Sequence, residues 1–191
     1  MSSTAPPASR PAHRPSSRED ILNSALDMLR EGGAVSLDSA ARAAGITKPG
    51  LMYHFPSKAA LMSALVDRLV DDCARELRRR LPAETDAGFS VHDRLTAYLD
   101  WVCEGDFDSS DLVIFSDPRL REPLTTQWTE RMKPWVEVPA DLPEAERSRL
   151  LAVRLLADGI WFAAASNALP LADVEVARVR TLAHQLIQGP P

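Results

Sequence analysis

Residues 46–58 read Ile-Thr-Lys-Pro-Gly-Leu-Met-Tyr-His-Phe-Pro-Ser-Lys. The hydroxyl of Thr47 suits a helix N-cap. Pro49 falls in the first turn that follows, where an amide has no intrahelical acceptor and its loss costs little. The stretch therefore predicts a short helix that starts after Thr47 and ends near the aromatic residues Tyr53 and Phe55. Upstream, Ser36 suits the N-cap of another short helix over residues 37–44, and Gly45 most easily takes the left-handed conformation that ends it. The pattern is helix, tight turn, helix. Two helices this short do not hold themselves in water and need a longer neighbour. Residues 17–31 supply one: Ser17 with Asp20 resembles a capping box. Ile21, Leu22, Ala25, Leu26 and Leu29 form one apolar stripe, with Glu19, Asn23, Asp27, Arg30 and Glu31 opposite it.

Such a three-helix unit, ending in a polar and aromatic helix flanked by lysines, has the makeup of a DNA-reading element. Most hydrogen bonds to DNA go to phosphate and fix position, while base edges carry sequence information. Lys48 and Lys58 suit the phosphate role, and Thr47, Tyr53 and His54 have groups that can donate to phosphate oxygens. The helix start adds the amides of Lys48 and Gly50. Met52 can touch a thymine methyl and Gly50 offers only backbone, so direct readout rests on few side chains. Taken singly, each residue has a plainer reading. Tyr53 and Phe55 also suit a core, Phe55 the more readily, and a lone histidine or lysine is commonly solvated.

The block as a whole resembles the tetracycline-repressor (TetR) family of bacterial transcription regulators, over residues 18–65. The likeness is carried by Ile21, Leu22 and Ala25, by Gly32, Ala40, Ala41 and Ala44-Gly45-Ile46, and then by Thr47-Lys48-Pro49, Leu51, Tyr53-His54-Phe55, Ser57-Lys58 and Leu61. In that family the positions matching Lys48, Pro49, Gly50 and Met52 commonly face the major groove. The resemblance implies an all-helical fold whose carboxy-terminal domain dimerises through a four-helix bundle and encloses an effector pocket.

Composition agrees with a helical chain. Its 191 residues hold few glycines and much alanine and leucine, enough for one large or two small domains. No apolar run reaches membrane-spanning length and the amino terminus lacks the apolar segment of a signal peptide, so a soluble, cytoplasmic protein is expected. Residues 1–58 hold seven Lys and Arg against five Asp and Glu, whereas the rest holds fifteen against twenty-two. The net charge of −5 argues against nonspecific wrapping of nucleic acid and for a small contact patch. Residues 1–16, rich in Pro, Ser, Thr and Ala, are expected to be a disordered arm. Its Arg10, His13 and Arg14 suit a phosphate or a minor groove, though basic tails are commonly just solvated. Cys73 and Cys103 lack metal or redox spacing and read as small apolar fillers, and the four histidines are scattered. No cofactor or metal is expected. A nucleophile elbow, a phosphate-cradling glycine loop and an acid–base pair are all missing from the sequence, which excludes the common enzyme classes.

The DNA-binding domain is expected over residues 17–62, with Ser57 capping a connecting helix that runs to about Leu81. A ligand-binding and dimerisation domain is expected over 82–191. Within it, Ser90 with Asp93 opens a helix through Val102, residues 105–110 break it, and 111–115 make a short apolar turn. Asp117-Pro118 starts a helix reaching Lys133, where Pro134 ends it. Residues 144–168 form the longest of these helices, apolar on nearly all sides from Leu150, and residues 173–188 form the last. A helix apolar all round must be covered all round, and a two-fold dimer built on these last two helices does so. It also supplies two readers for a palindromic duplex operator.

Trp101, Trp128, Trp135, Trp161 and Phe115 all lie in this second half. Aromatic faces with a carboxylate such as Asp158 suit a hydrophobic, cationic small molecule. The plainer readings are core packing for each tryptophan and an ion pair with Arg154 for Asp158. Glu104, Asp106, Asp108 and Asp111 read as a solvated acidic loop or as the rim of a pocket. The expected function is a repressor that leaves its operator on binding such a molecule, in the manner of efflux regulation. An acyl or aromatic metabolite controlling a catabolic gene is the alternative.

Overall fold

Apolar residues recur at helical spacing along most of the chain, and each such run folds as a helix. The computed structural model describes residues 18–82 and 88–189. They form α1 (Arg18–Arg30), α2 (Leu37–Ala43), α3 (Lys48–His54), α4 (Lys58–Arg80), α5 (Val91–Glu104), α6 (Arg121–Val136), α7 (Glu144–Ser166) and α8 (Asp173–Gln188). A 3-10 helix, Ser109–Phe115, stands between α5 and α6. The expected arm, the cap at Ser17 and residues 83–87 of the expected boundary lie outside the described residues.

Caps fix the small helices where the sequence places them. Ser36 accepts from the Ser39 amide, Thr47 Oγ1 from the Gly50 amide at 3.2 Å, and Ser57 Oγ from the Ala60 amide at 3.1 Å. Each such cap contributes about 1 kcal/mol. Gly45, at φ 66°, makes the turn between α2 and α3 in a conformation most side chains resist. Leu51 and Phe55 then reach down into a core shared with Ile21, Leu22 and Ala25 of α1 and Leu61 and Leu65 of α4.

Helix α4 is the spine. It packs on α1 near its start and on α5 and α6 beyond, burying Leu61, Met62, Leu65, Val66, Val70 and Leu77. Polar side chains reinforce its seam with α6: Arg131 donates to Asp67 at 2.6 Å and to Asp71 at 2.5 Å, and Gln127 Nε2 to Asp67 at 2.9 Å. Cys73 is buried in this core and its thiol is pushed up to about 12 by burial, which makes it inert packing.

Three boundaries differ from the sequence expectations. Helix α6 begins at Arg121 because Asp117 folds back on the Arg119 amide, 2.9 Å away, and makes a turn of the segment meant to start the helix. The same helix continues through Pro134 to Val136. Proline in the last turn forfeits one bond, and the Arg94 guanidinium donates to the carbonyls of Pro134 (2.7 Å) and Glu137 (3.4 Å) at that end. Helix α7 stops at Ser166, where Asn167 takes the left-handed conformation at φ 52°.

The all-round apolarity of α7 divides into two faces. Leu150, Val153, Ala157 and Ile160 are buried in the contact with α5 and α8, while Leu155, Gly159 and Phe162 are exposed. Helix α8 likewise buries Ala183 and Ile187 and exposes Val174 and Leu182. No helix among the described residues is long and apolar enough to cross a membrane.

Candidate nucleic-acid interface and cavity

Helix α3 turns Lys48, Pro49, Met52 and Tyr53 to solvent, positions that share one face at helical spacing. The two aromatics left open by the sequence separate cleanly: Tyr53 is 86% exposed, and Phe55 is 2% exposed with the Arg18 guanidinium 5.0 Å from its ring centroid. Among the described residues the half-buried ring of His54 meets Tyr53 edge-on at 5.3 Å. The Gly50 amide, expected as a free donor, is taken by Thr47. Both lysines are already paired. Lys48 Nζ donates to Asp38 of α2 at 3.0 Å, and Lys58 Nζ donates at 2.6 Å to Asp117, whose carboxyl it holds below the usual range. The Lys48 pair, exposed on both sides, contributes little and gives way to a polyanion, whereas the Lys58 pair rests on an Asp117 side chain that is mostly covered.

Arg42 belongs to this surface and was not expected from sequence. It is exposed one turn after Asp38 on α2, and Asp38 is the residue that Lys48 at the start of α3 reaches. Its guanidinium has no side-chain partner among the described residues. The signal was the i, i+4 spacing to Asp38, readable only once Lys48 had been placed beside that carboxylate.

A cavity of about 670 Å³ lies among α5, the 3-10 helix, α6 and α7. That is within the range that holds small ligands. Phe115, Trp128, Asp158 and Trp161 line it, and the Trp128 and Trp161 rings stack 6.0 Å apart. Trp101 and Trp135 do not line it. Trp101 packs edge-on against Phe107 at 4.9 Å, and Trp135 lies beneath the Arg78 guanidinium, 5.4 Å from its ring centroid. Asp158 accepts a 2.8 Å hydrogen bond from the Tyr98 hydroxyl and has Arg154 Nε 3.4 Å away, the ion pair anticipated as its plainer role. Burial, with that carboxylate adding to it, pushes the Tyr98 hydroxyl well above its ordinary pKa, so it stays a donor. Tyr98, Met132, Arg147 and Phe162 also line the wall. They come from three different helices, and no local spacing in the sequence joins them.

The acidic loop is a strut and stands apart from the cavity wall. Ser109 Oγ donates to the Leu29 carbonyl at 2.7 Å, and Arg30 Nε to Asp108 at 2.6 Å, fastening the start of the 3-10 helix to the end of α1. Burial pushes the Asp111 carboxyl up to about 6, although it accepts the Asp108 amide at 2.9 Å. At the other end of the same segment Ile114 and Phe115 enter the cavity wall, and Asp117 holds Lys58. One short element thus touches the cavity, α1 and the first residue of α4.

Residues 21–65 match the family described as bacterial regulatory proteins, tetR family. The chain is 29% identical over 160 residues to the HTH-type transcriptional regulator EthR of Mycobacterium tuberculosis, covering 78% of this chain and 72% of EthR. It is also 29% identical over 151 residues to the HTH-type transcriptional activator FasR of Mycolicibacterium smegmatis, covering 73% and 67%. A TetR-family member from Streptomyces coelicolor superposes with a TM-score of 0.58 at 20% identity, over 87% of this chain and 96% of that one.

Proposed function

We propose that this chain, whose residues 21–65 match the tetR family of bacterial regulatory proteins, is a homodimeric repressor of that family which leaves a palindromic operator when a hydrophobic small molecule fills the cavity. In this reading residues 17–62 bind DNA and residues 82–191 bind the effector and the second subunit. Thr47, Lys48, Pro49, Gly50, Met52, Tyr53, His54 and Lys58 form the reader. Lys48 and Lys58 exchange their carboxylate partners for phosphate, and Met52 and Tyr53 supply the exposed face that meets the groove. The exposed stripe of Leu155, Gly159 and Phe162 on α7, with Val174 and Leu182 on α8, supports the dimer.

The observation that carries the effector reading is the placement of the 3-10 helix. A molecule that displaces Phe115 shifts Asp117, two residues on, and so changes how strongly Asp117 competes with phosphate for Lys58 at the start of α4. The same element is tied to α1 through Ser109 and Asp108. A shift there changes the tilt of the reader and the separation of the two readers in the dimer. Half-sites lie about 34–36 Å apart or a multiple of that, and a rigid dimer tolerates little deviation. An effector shifts this equilibrium only by its differential affinity for the two arrangements. On the effector's charge, the carboxylate that suited a cation, Asp158, is already satisfied by Tyr98 and Arg154, which brings the acyl or aromatic metabolite forward.

Footprinting of the purified full chain on the DNA flanking its own gene tests the reading. A protected palindrome overlapping the promoter, lost when lipophilic compounds are added, is the expected result. Protection upstream of the promoter would make the protein an activator, and no protection at low salt would overturn the operator.

A further inference from the structure

The cavity has a charged end and an aromatic end. On α7, Arg147, Leu151, Arg154, Asp158 and Trp161 recur at spacings of three and four and so share one face, running roughly 21 Å from Arg147 to Trp161. On α6 and the Glu137 that caps it the order is the reverse, Trp128 first, then Lys133 and Glu137. The Trp128–Trp161 stack aligns the aromatic ends, and the short link from Glu137 to Glu144 keeps Lys133, Glu137 and Arg147 at the other.

The charges along this wall do not balance. Three cations and two carboxylates line the cavity. Glu137 is paired with Lys133 at 3.4 Å, and Asp158 has Arg154 at 3.4 Å and the Tyr98 hydroxyl at 2.8 Å. The Arg147 guanidinium has no ion-pair partner among the described residues. Arg154 Nε is shielded from solvent and makes no hydrogen bond, so Asp158 satisfies Arg154 incompletely. A cationic headgroup entering here meets a net positive wall and must displace Lys133 or Arg154 to reach a carboxylate. An anionic headgroup meets a guanidinium that is ready to bind and displaces nothing.

We propose, resting on the effector reading of this cavity, that its ligand is an amphipathic anion. Its carboxylate or similar headgroup sits at Arg147 and Arg154, and its apolar tail lies among Phe115, Trp128 and Trp161. Met132 and Leu151 fill the wall between the two ends.

Three probes with one tail and different heads test it: dodecanoate, dodecanol and dodecyltrimethylammonium. Each is titrated below micelle formation into the full chain, with tryptophan fluorescence reporting binding and operator anisotropy reporting DNA release. Dodecanoate is expected to bind about tenfold tighter than dodecyltrimethylammonium, the scale of one charged hydrogen-bonded contact. Arg147→Gln, at an exposed position that the core does not use, should weaken dodecanoate about tenfold and leave dodecanol within about twofold. Tighter binding of dodecyltrimethylammonium, equal loss of dodecanol in the variant, or quenching by none of the three overturns the proposal. Dodecanoate that binds in the expected order but leaves the operator occupied upholds the charge preference and overturns the release mechanism instead.

Discussion

The first three helices and the last two handle their apolar side chains in opposite ways. Around α1 to α3 nearly every large apolar residue is inside: Ile21, Leu22, Leu51 and Phe55 are all covered, and the exceptions are Met52 and Tyr53 on the outer face of α3. On α7 and α8, Leu155 at 66% exposure is joined by Phe162, Val174 and Leu182. In the first region a closed core presents a few exposed groups to a polar, charged partner. In the second the burial is unfinished, and on the proposed reading a second subunit covers the outer face while a small molecule fills the inner cavity. Full burial of each such side chain is worth roughly 1.5–3 kcal/mol, so an outer face left open is a standing drive toward association.

The sharpest way to break this contrast is at Gly159. A Cβ added there meets nothing within 4 Å among the described residues, so Gly159→Arg should leave the protomer folded while placing a charge in the proposed interface. The expected outcome is a monomer by mass at micromolar concentration, unchanged helical circular dichroism, and operator affinity down by about 100-fold or more as the two readers lose their linkage. A variant that remains dimeric would move the interface off α7.

A smaller effect is expected at the joint between the two regions. Asp117→Asn removes the carboxylate that Lys58 holds at 2.6 Å. Effector affinity should be unchanged by fluorescence, while the ratio of operator affinities without and with effector should shrink by about fivefold, the low end of ordinary coupling. An unchanged ratio would mean that the 3-10 helix acts only through α1.

The smallest effect concerns the strut. Burial raises the Asp111 carboxyl from 3.8 to about 6 in the folded chain. A raised carboxyl binds its proton more tightly when folded, so its stabilising contribution is complete below the unfolded pKa and is lost as pH rises through about 6. Asp111→Asn keeps an acceptor for the Asp108 amide and cannot ionise. Its urea midpoint should match that of the parent chain at low pH and exceed it increasingly until pH passes about 6. A difference that stays flat with pH would show that folding does not shift the Asp111 carboxyl.

The sequence revealed most where structure is locally determined. Thr47, Ser57 and Gly45 bound their helices by bonds within four residues, so α2, α3 and the start of α4 could be read directly. It revealed least where a distant residue decides. Pro134 should end a helix by any local rule, and Arg94, forty residues earlier, carries it further. Lys58 reads as a free cation until the fold brings Asp117 beside it. Trp128 and Trp135 are one residue type on one helix, seven positions apart. Only packing puts the first in the cavity wall and the second under Arg78. Arg147 carries no sequence signal because its significance lies in a partner it lacks.

If the exposed face of α3 and the start of α4 hold DNA, operator affinity against salt separates the parent chain from the double variant Tyr53→Ala with Lys58→Ala. For the parent chain the logarithm of affinity should fall linearly with the logarithm of salt concentration. For the double variant affinity should drop by at least about tenfold. The salt slope should also flatten by about 0.9 for each subunit's Lys58 phosphate contact. Unchanged affinity and slope in a folded double variant would contradict the reader assignment.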